Sequence, residues 1–167
     1  ANDLELVPLL LGDGSTSGTN KGVMTVGKAA PVTKSRIEEL FRTYANTGVQ
    51  EVFDVSGGSQ RWHIKPTELG GSNNTYSRAV WSMCQTYGLN GIACKFKKLP
   101  DQVYSLPNKQ LAIFVSRLID TDGWICLANT AEIGYSTASK ELADGVVALF
   151  LRLGVAAELK SKTSTCK

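Results

Sequence analysis

The chain has 167 residues, 43% apolar and 20% charged, with a net charge of +3 and an isoelectric point near 8.7. That is enough chain for one domain with a sizeable core, and the composition excludes a disordered, collagen-like or disulfide-dense protein. No apolar run reaches the ~18 residues of a membrane span, and so small a net charge leaves nucleic-acid binding to local patterning. The four cysteines, Cys84, Cys94, Cys126 and Cys166, form no C-x-x-C pair, and His63 is the sole histidine, which argues against zinc and for free thiols in a reducing compartment. The start, Ala1-Asn2-Asp3-Leu4-Glu5, has neither a basic segment nor Met. It reads as a processed or excised piece without a secretory signal.

In chain order, Leu4 to Asp13 reads as a short helix capped by Asn2 or Asp3, and Pro8 predicts either a bend or a helix beginning near Val7. Gly14 to Asn20 is a Gly/Ser/Thr-rich loop or frayed strand, and Gly22 to Gly27 is a strand. Lys34 to Asn46 spaces Ile37, Leu40, Phe41 and Tyr44 as a helix closed by Gly48. Val49 to Val55 and Gln60 to Lys65 read as a hairpin through Ser56-Gly57-Gly58-Ser59. Thr75 to Tyr87 is a helix ended by Gly88. A second series follows: a helix from about Asn108 to Asp122, strands at Trp124 to Ala128 and Glu132 to Thr137, a helix from Ser139 to Leu153, and a strand at Val155 to Lys160.

Two apolar runs end alike in an acid and a glycine. They are Leu6-Val7-Pro8-Leu9-Leu10-Leu11-Gly12-Asp13-Gly14 and Val115-Ser116-Arg117-Leu118-Ile119-Asp120-Thr121-Asp122-Gly123. Each buries apolar side chains along a helix and delivers one carboxylate at its C-terminal end, where the glycine allows the chain to turn. Between them stands a basic block, Phe96-Lys97-Lys98-Leu99-Pro100. After the second lies the leucine-rich run Leu149-Phe150-Leu151-Arg152-Leu153-Gly154-Val155. In order and spacing these four blocks resemble the LAGLIDADG homing endonucleases of intein type, such as those borne by bacterial replicative helicases. No splicing signature accompanies them, so the resemblance is to an endonuclease domain without its splicing domain.

The resemblance implies an α+β fold of two pseudo-symmetric αββαββα halves, about 1–100 and 101–167, with saddle-shaped antiparallel sheets, the second half truncated. It implies that residues 1–167 are one endonuclease domain, a monomer of the bacterial or archaeal cytosol. The implied activity is a Mg²⁺- or Mn²⁺-dependent double-strand break at a long, asymmetric DNA target. The alternative is a non-cleaving LAGLIDADG nucleic-acid-binding protein, such as a maturase, a regulator or a decayed intein remnant. By the same resemblance Asp13 and Asp122 are metal ligands and catalytic, and Lys98 is catalytic, with Lys97 the other bearer of that role; the free carbonyls at the helix ends, those of Gly12 and Thr121, are candidate additional ligands. Oxygen donors suit Mg²⁺, and helix C-termini favour a cation. Pro8 and Arg117 stand where the family has small residues, which predicts a looser helix pair.

The residues themselves add a DNA-binding face. Arg61, His63 and Lys65 alternate with Trp62 and Ile64, so a strand sends the basic set to one side and the apolar set to the other. Lys28 and Lys21 flank the earlier strand, Lys160 and Lys162 the last, and Lys97 lies in the basic block; all are candidate phosphate contacts. Trp81 and Trp124 are expected in the core.

Overall fold

A computed structural model describes residues 2–16, 22–56, 58–72, 75–127 and 131–163. Lys21, most of the 14–20 loop, Asn73, Asn74, Ala128 and Cys166 therefore lie outside the described residues. The element order is α1 (Asp3–Gly12), β1 (Gly14–Ser15), β2 (Val23–Gly27), α2 (Pro31–Thr43), β3 (Thr47–Ser56), β4 (Ser59–Glu68), α3 (Arg78–Thr86), α4 (Asn108–Asp122), β5 (Gly123–Cys126), β6 (Glu132–Tyr135) and α5 (Lys140–Arg152). Two short 3₁₀ turns, Cys94–Phe96 and Asp101–Ser105, lie between α3 and α4. The fold is α+β with two antiparallel sheets, one ordered β1-β2-β4-β3 and the other β5-β6. No helix among the described residues is long and apolar enough to cross a membrane.

The unbroken apolar run of α1 dictates where it sits. A helix that is apolar all round must be covered all round, and Leu6 through Leu11 are all buried. The cover comes from α4 (Leu111, Phe114, Leu118), α2 (Ile37, Leu40, Phe41), the sheet (Met24, Ile64) and α3 (Val80, Cys84). α1 runs unbroken from Asp3, so the helix does not begin at Val7 as Pro8 allowed. α2 is set three residues earlier than expected. Pro31 opens it, where its missing N–H costs nothing, and Gly48 belongs to β3 rather than closing the helix. Asn46 takes the positive-φ turn between them, at φ 55°.

α2 and α5 each span 13 residues, and their ends differ by the same 109 positions that separate Asp13 from Asp122. That spacing puts the counterpart of β3 at residues 156–165, over the strand expected at Val155 to Lys160. There is no strand there among the described residues. The reason lies in the sheet order: among the described residues β3 pairs with β4 alone, which in turn pairs with β2. Extended chain becomes a strand only with a partner, and among the described residues the second sheet contains β5 and β6 alone.

A two-stranded sheet holds its hydrogen bonds less firmly than one whose strands are flanked. Amides of β5 and β6 are expected to exchange at least about a hundredfold faster than those at His63 and Ile64, which lie between β2 and β3. Equal protection, measured by hydrogen exchange, would mean that another segment covers β6.

Candidate functional site

Asp13 and Asp122 are delivered by two junctions built alike. Asp13 follows the last turn of α1 and its N–H bonds to the Leu9 carbonyl; Asp122 ends α4, and the N–H of Gly123 bonds to the Ile119 carbonyl. The next residue, Gly14 or Gly123, enters a strand at once. A Cβ on Gly14 would stand 2.5 Å from the Leu10 carbonyl oxygen, and one on Gly123 would stand 2.5 Å from that of Ile119. Glycine is thus required by close approach of the helix end, since neither φ is positive. The carbonyls of the two acids accept from the second strand's side of each hairpin, Asp13 from Thr25 N–H at 3.3 Å and Asp122 from Ser136 N–H at 3.1 Å.

The two junctions meet. A Cβ on Gly12 would stand 1.9 Å from Thr121 Oγ1, so the paired helices touch at their acid ends with no room for a side chain. Arg117, expected to loosen the pair, instead reaches Glu5 of α1 at 2.8 Å and Asp120 at 2.7 Å. Glu5 also binds Arg36 of α2. These charges hold Glu5 below the usual carboxylate range, Arg36 most strongly. Asp120 is exposed and engaged by Arg117.

The lysine buried against the end of α1 is Lys97, while the neighbouring Lys98 is exposed. Lys97 is buried, and its ammonium donates to the carbonyls of Leu10 (3.2 Å), Leu11 (2.7 Å), Gly12 (3.1 Å) and Gly14 (2.9 Å). It thereby satisfies the free carbonyl end of α1 and sits at the negative end of the helix dipole. Two contacts fix it. Ser139, the N-cap of α5, donates to the Lys97 carbonyl, and Leu99 packs on Gly145, where a Cβ would come within 2.7 Å. Lys98 is exposed. The Gly12 carbonyl, a candidate metal ligand, already accepts from Lys97, and Thr121 Oγ1 donates to the Leu118 carbonyl at 2.7 Å.

Electrostatically the site is a partly buried acid pair with one fixed cation. Burial, then the charge of Asp122, pushes Asp13 up to about 6, with Lys97 acting against the rise. Burial raises Asp122 in the same sense, again opposed by Lys97. Burial lowers Lys97, and the charges of Cys94, Asp122 and Asp13 oppose that. A carboxylate pair held against its own repulsion is a donor set that a divalent cation would relieve. Among the described residues no cluster of three or more His, Cys, Asp or Glu offers a closed metal cage. Mg²⁺ does not require one, because it keeps waters and takes substrate oxygens.

The basic strand face is where alternation put it. Met24, Val26 and Ile64 are buried on the helix side, while Arg61, His63 and Lys65 lie on the other face, each partly exposed. Cross-strand neighbours there are Asp54 opposite Arg61 and Thr25 opposite His63. Asp54 lies 3.6 Å from both Arg61 Nε and His63 Nε2, and His63 Nδ1 is 3.2 Å from Thr25 Oγ1. The Ser56 hydroxyl, then His63 and Arg61, hold Asp54 below the usual carboxylate range. Lys28 is exposed just beyond β2. Lys160 pairs with Glu158 at 3.1 Å, and Lys160 and Lys162 stand on exposed irregular chain rather than on a strand face. Lys97 is buried within the helix end rather than presented on a surface. Trp124 is not a core residue: it is 48% exposed, with its ring laid over Gly134 of β6. Trp81 is partly buried.

Among known proteins, the chain is 26% identical over 168 residues, 98% of its own length, to the iron-sulfur cluster assembly SufBD family protein ML0593 of Mycobacterium leprae. It is 36% identical over 73 residues, 41% of its length, to the replicative DNA helicase DnaB of Synechocystis. It matches only 18% of the first relative's length and 8% of the second's. Residues 109–167, from the start of α4 onward, match the model of the LAGLIDADG-like domain, and that match supports the LAGLIDADG family for this chain.

Proposed function

We propose that this chain is a site-specific DNA endonuclease of homing type, which makes a double-strand break with Mg²⁺ or Mn²⁺ held by Asp13 and Asp122. The observation that carries the reading is the meeting of two like-built helix ends, each delivering one carboxylate, around the buried ammonium of Lys97. We take residues 1–167 as one endonuclease domain of two pseudo-symmetric halves, divided near residue 100 and acting as a monomer. The halves differ in sequence, so the target is long and asymmetric. The relatives' names describe two unrelated activities, and this chain resembles a small piece of each. That pattern supports a mobile, intein-type insert over a part of either host's function.

A bound divalent cation supplies a Lewis acid and an activated water at the scissile phosphate. The chain supplies the rest. Asp13 and Asp122 provide one oxygen ligand set per half. The N–H bonds of Lys97 are engaged by four carbonyls, so it acts as a fixed positive charge beside the phosphate and not as a proton donor. Lys98, Lys28, Lys160 and Lys162, all exposed, add non-specific phosphate contacts. The face of Arg61, His63 and Lys65 binds phosphate and base edges. Asp54 holds Arg61 and His63 in place there and repels DNA registers that bring a phosphate onto it.

The test is cleavage of a plasmid carrying the uninterrupted host-gene sequence, with and without Mg²⁺. A metal-dependent linear product supports the endonuclease. Sequence-specific binding with intact DNA at every metal concentration would establish the non-cleaving alternative. Arg61→Ala and Lys65→Ala are each expected to weaken DNA binding about 5- to 10-fold and to lower the slope of log K against log salt by about one. Salt titrations that leave the slope unchanged would remove that residue from the interface.

A further inference from the structure

The two hairpins differ at the position paired with the glycine that follows each acid. Met24 lies directly opposite Gly14, and Tyr135 lies directly opposite Gly123, so each follows the same register from its acid. The next residue in each, Thr25 or Ser136, donates its N–H to that acid's carbonyl. Met24 fills the position with a fully buried apolar side chain. Tyr135 fills it with a partly buried ring whose hydroxyl is buried and has no hydrogen-bond partner among the described residues. An unpartnered hydroxyl in the interior is costly, and a methionine there would avoid the cost. Burial, and then the charges of Asp122 and Asp13, push this phenol above its usual range; like any phenol at neutral pH, its hydroxyl can donate.

We propose that the Tyr135 hydroxyl donates a hydrogen bond to an oxygen ligand held between Asp13 and Asp122: a cation-bound water in the free protein, or a phosphodiester oxygen once DNA is bound. This rests on the endonuclease reading above. Tyr135 makes and breaks no bond; it is a positioning residue. Because Met24 offers no hydroxyl in the first half, the two strand breaks depend on Tyr135 unequally.

Tyr135→Phe removes the oxygen alone. The metal-free variant is expected to melt at or above the wild-type temperature, since no existing hydrogen bond is lost. Mn²⁺ affinity of the free protein, or Ca²⁺-dependent retention of target DNA, is expected to fall about 5-fold, the worth of one hydrogen bond. A loss of Mn²⁺ affinity assigns the water, and a loss confined to the DNA complex assigns the phosphate oxygen. With Mg²⁺, nicked circles are expected to accumulate from supercoiled plasmid as one strand is cut more slowly. Wild-type Mn²⁺ affinity, DNA retention and nicking together would overturn the proposal, as would a lowered melting temperature of the metal-free variant. Asp122→Asn is measured in parallel. If it binds Mn²⁺ and cuts normally, the endonuclease site itself fails. If it loses both while Tyr135→Phe does not, only the role of Tyr135 falls.

Discussion

Asp13→Asn is expected to make the metal-free protein more stable and to abolish cleavage. Asp13 rises from 3.8 to about 6 on folding. Its folded-state pKa thus exceeds its unfolded value, and the folded protein holds more protons between those two pH values. Stability therefore falls as pH rises from 3.8 to about 6 and stays at the lower level above. At pH 7 the ionised Asp13 costs about 2–3 kcal/mol, which an amide of the same shape recovers. The melting temperature of the variant is expected to rise by about 5 °C at pH 7, with the slope between pH 4 and 6 flattened. Cleavage is expected to fall by about 10³-fold or more, because several kcal/mol of metal-mediated charge stabilisation are lost. Added Mn²⁺ stabilises wild type by mass action and leaves the variant unmoved. Near wild-type cutting by Asp13→Asn, or an unchanged thermal profile from pH 4 to 7, would exclude Asp13 from the role assigned to it.

Lys97→Met is expected to have the opposite effect on stability. It strips the ammonium from the carbonyls of Leu10, Leu11, Gly12 and Gly14 and leaves the acid pair without the cation that opposes its rise. Removing one member of a buried charge set costs about 3–5 kcal/mol, or a drop of about 10 °C in a domain of this size. Lys97→Arg is not expected to rescue it, because a planar guanidinium cannot converge on four carbonyls around one helix end. Lys98→Met, one residue on and exposed, is expected to change stability by less than about 0.5 kcal/mol. Thermal melts of the three variants decide the matter, and equal losses at 97 and 98 would contradict the burial of Lys97.

Much of the site was legible because short-range pattern carried it. An apolar run ended by Asp-Gly states both that a helix is buried and where its carboxylate emerges, since the glycine is forced by the helix carbonyl four residues back. Alternation in Arg61-Trp62-His63-Ile64-Lys65 likewise settles which side chains share a face, because strand geometry has period two. The boundaries of α2 and the direction of Trp124 were less legible. Pro31 and Asn46 set the ends of α2 more strongly than the apolar spacing from Ile37 to Tyr44 did. Trp124 reads as a core aromatic, but its cross-strand partner is Gly134, and a ring resting on a glycine is stabilised without being covered.

The sequence by itself determined the two acid-bearing helices and the basic strand face, each a matter of local periodicity, while the α+β class came with the family resemblance. Only the tertiary structure decided which of two adjacent lysines is buried against the end of α1, and why. Lys97 and Lys98 are identical in local chemistry and differ by one step of extended chain. It is Ser139 on the carbonyl of Lys97, and Leu99 against Gly145, that turn one into the end of α1 and leave the other in solvent. The same holds for Val155 to Lys160, whose residues favour a strand but which has no partner among the described residues. A strand is a property of two segments, and propensity in one cannot supply the hydrogen bonds of the other.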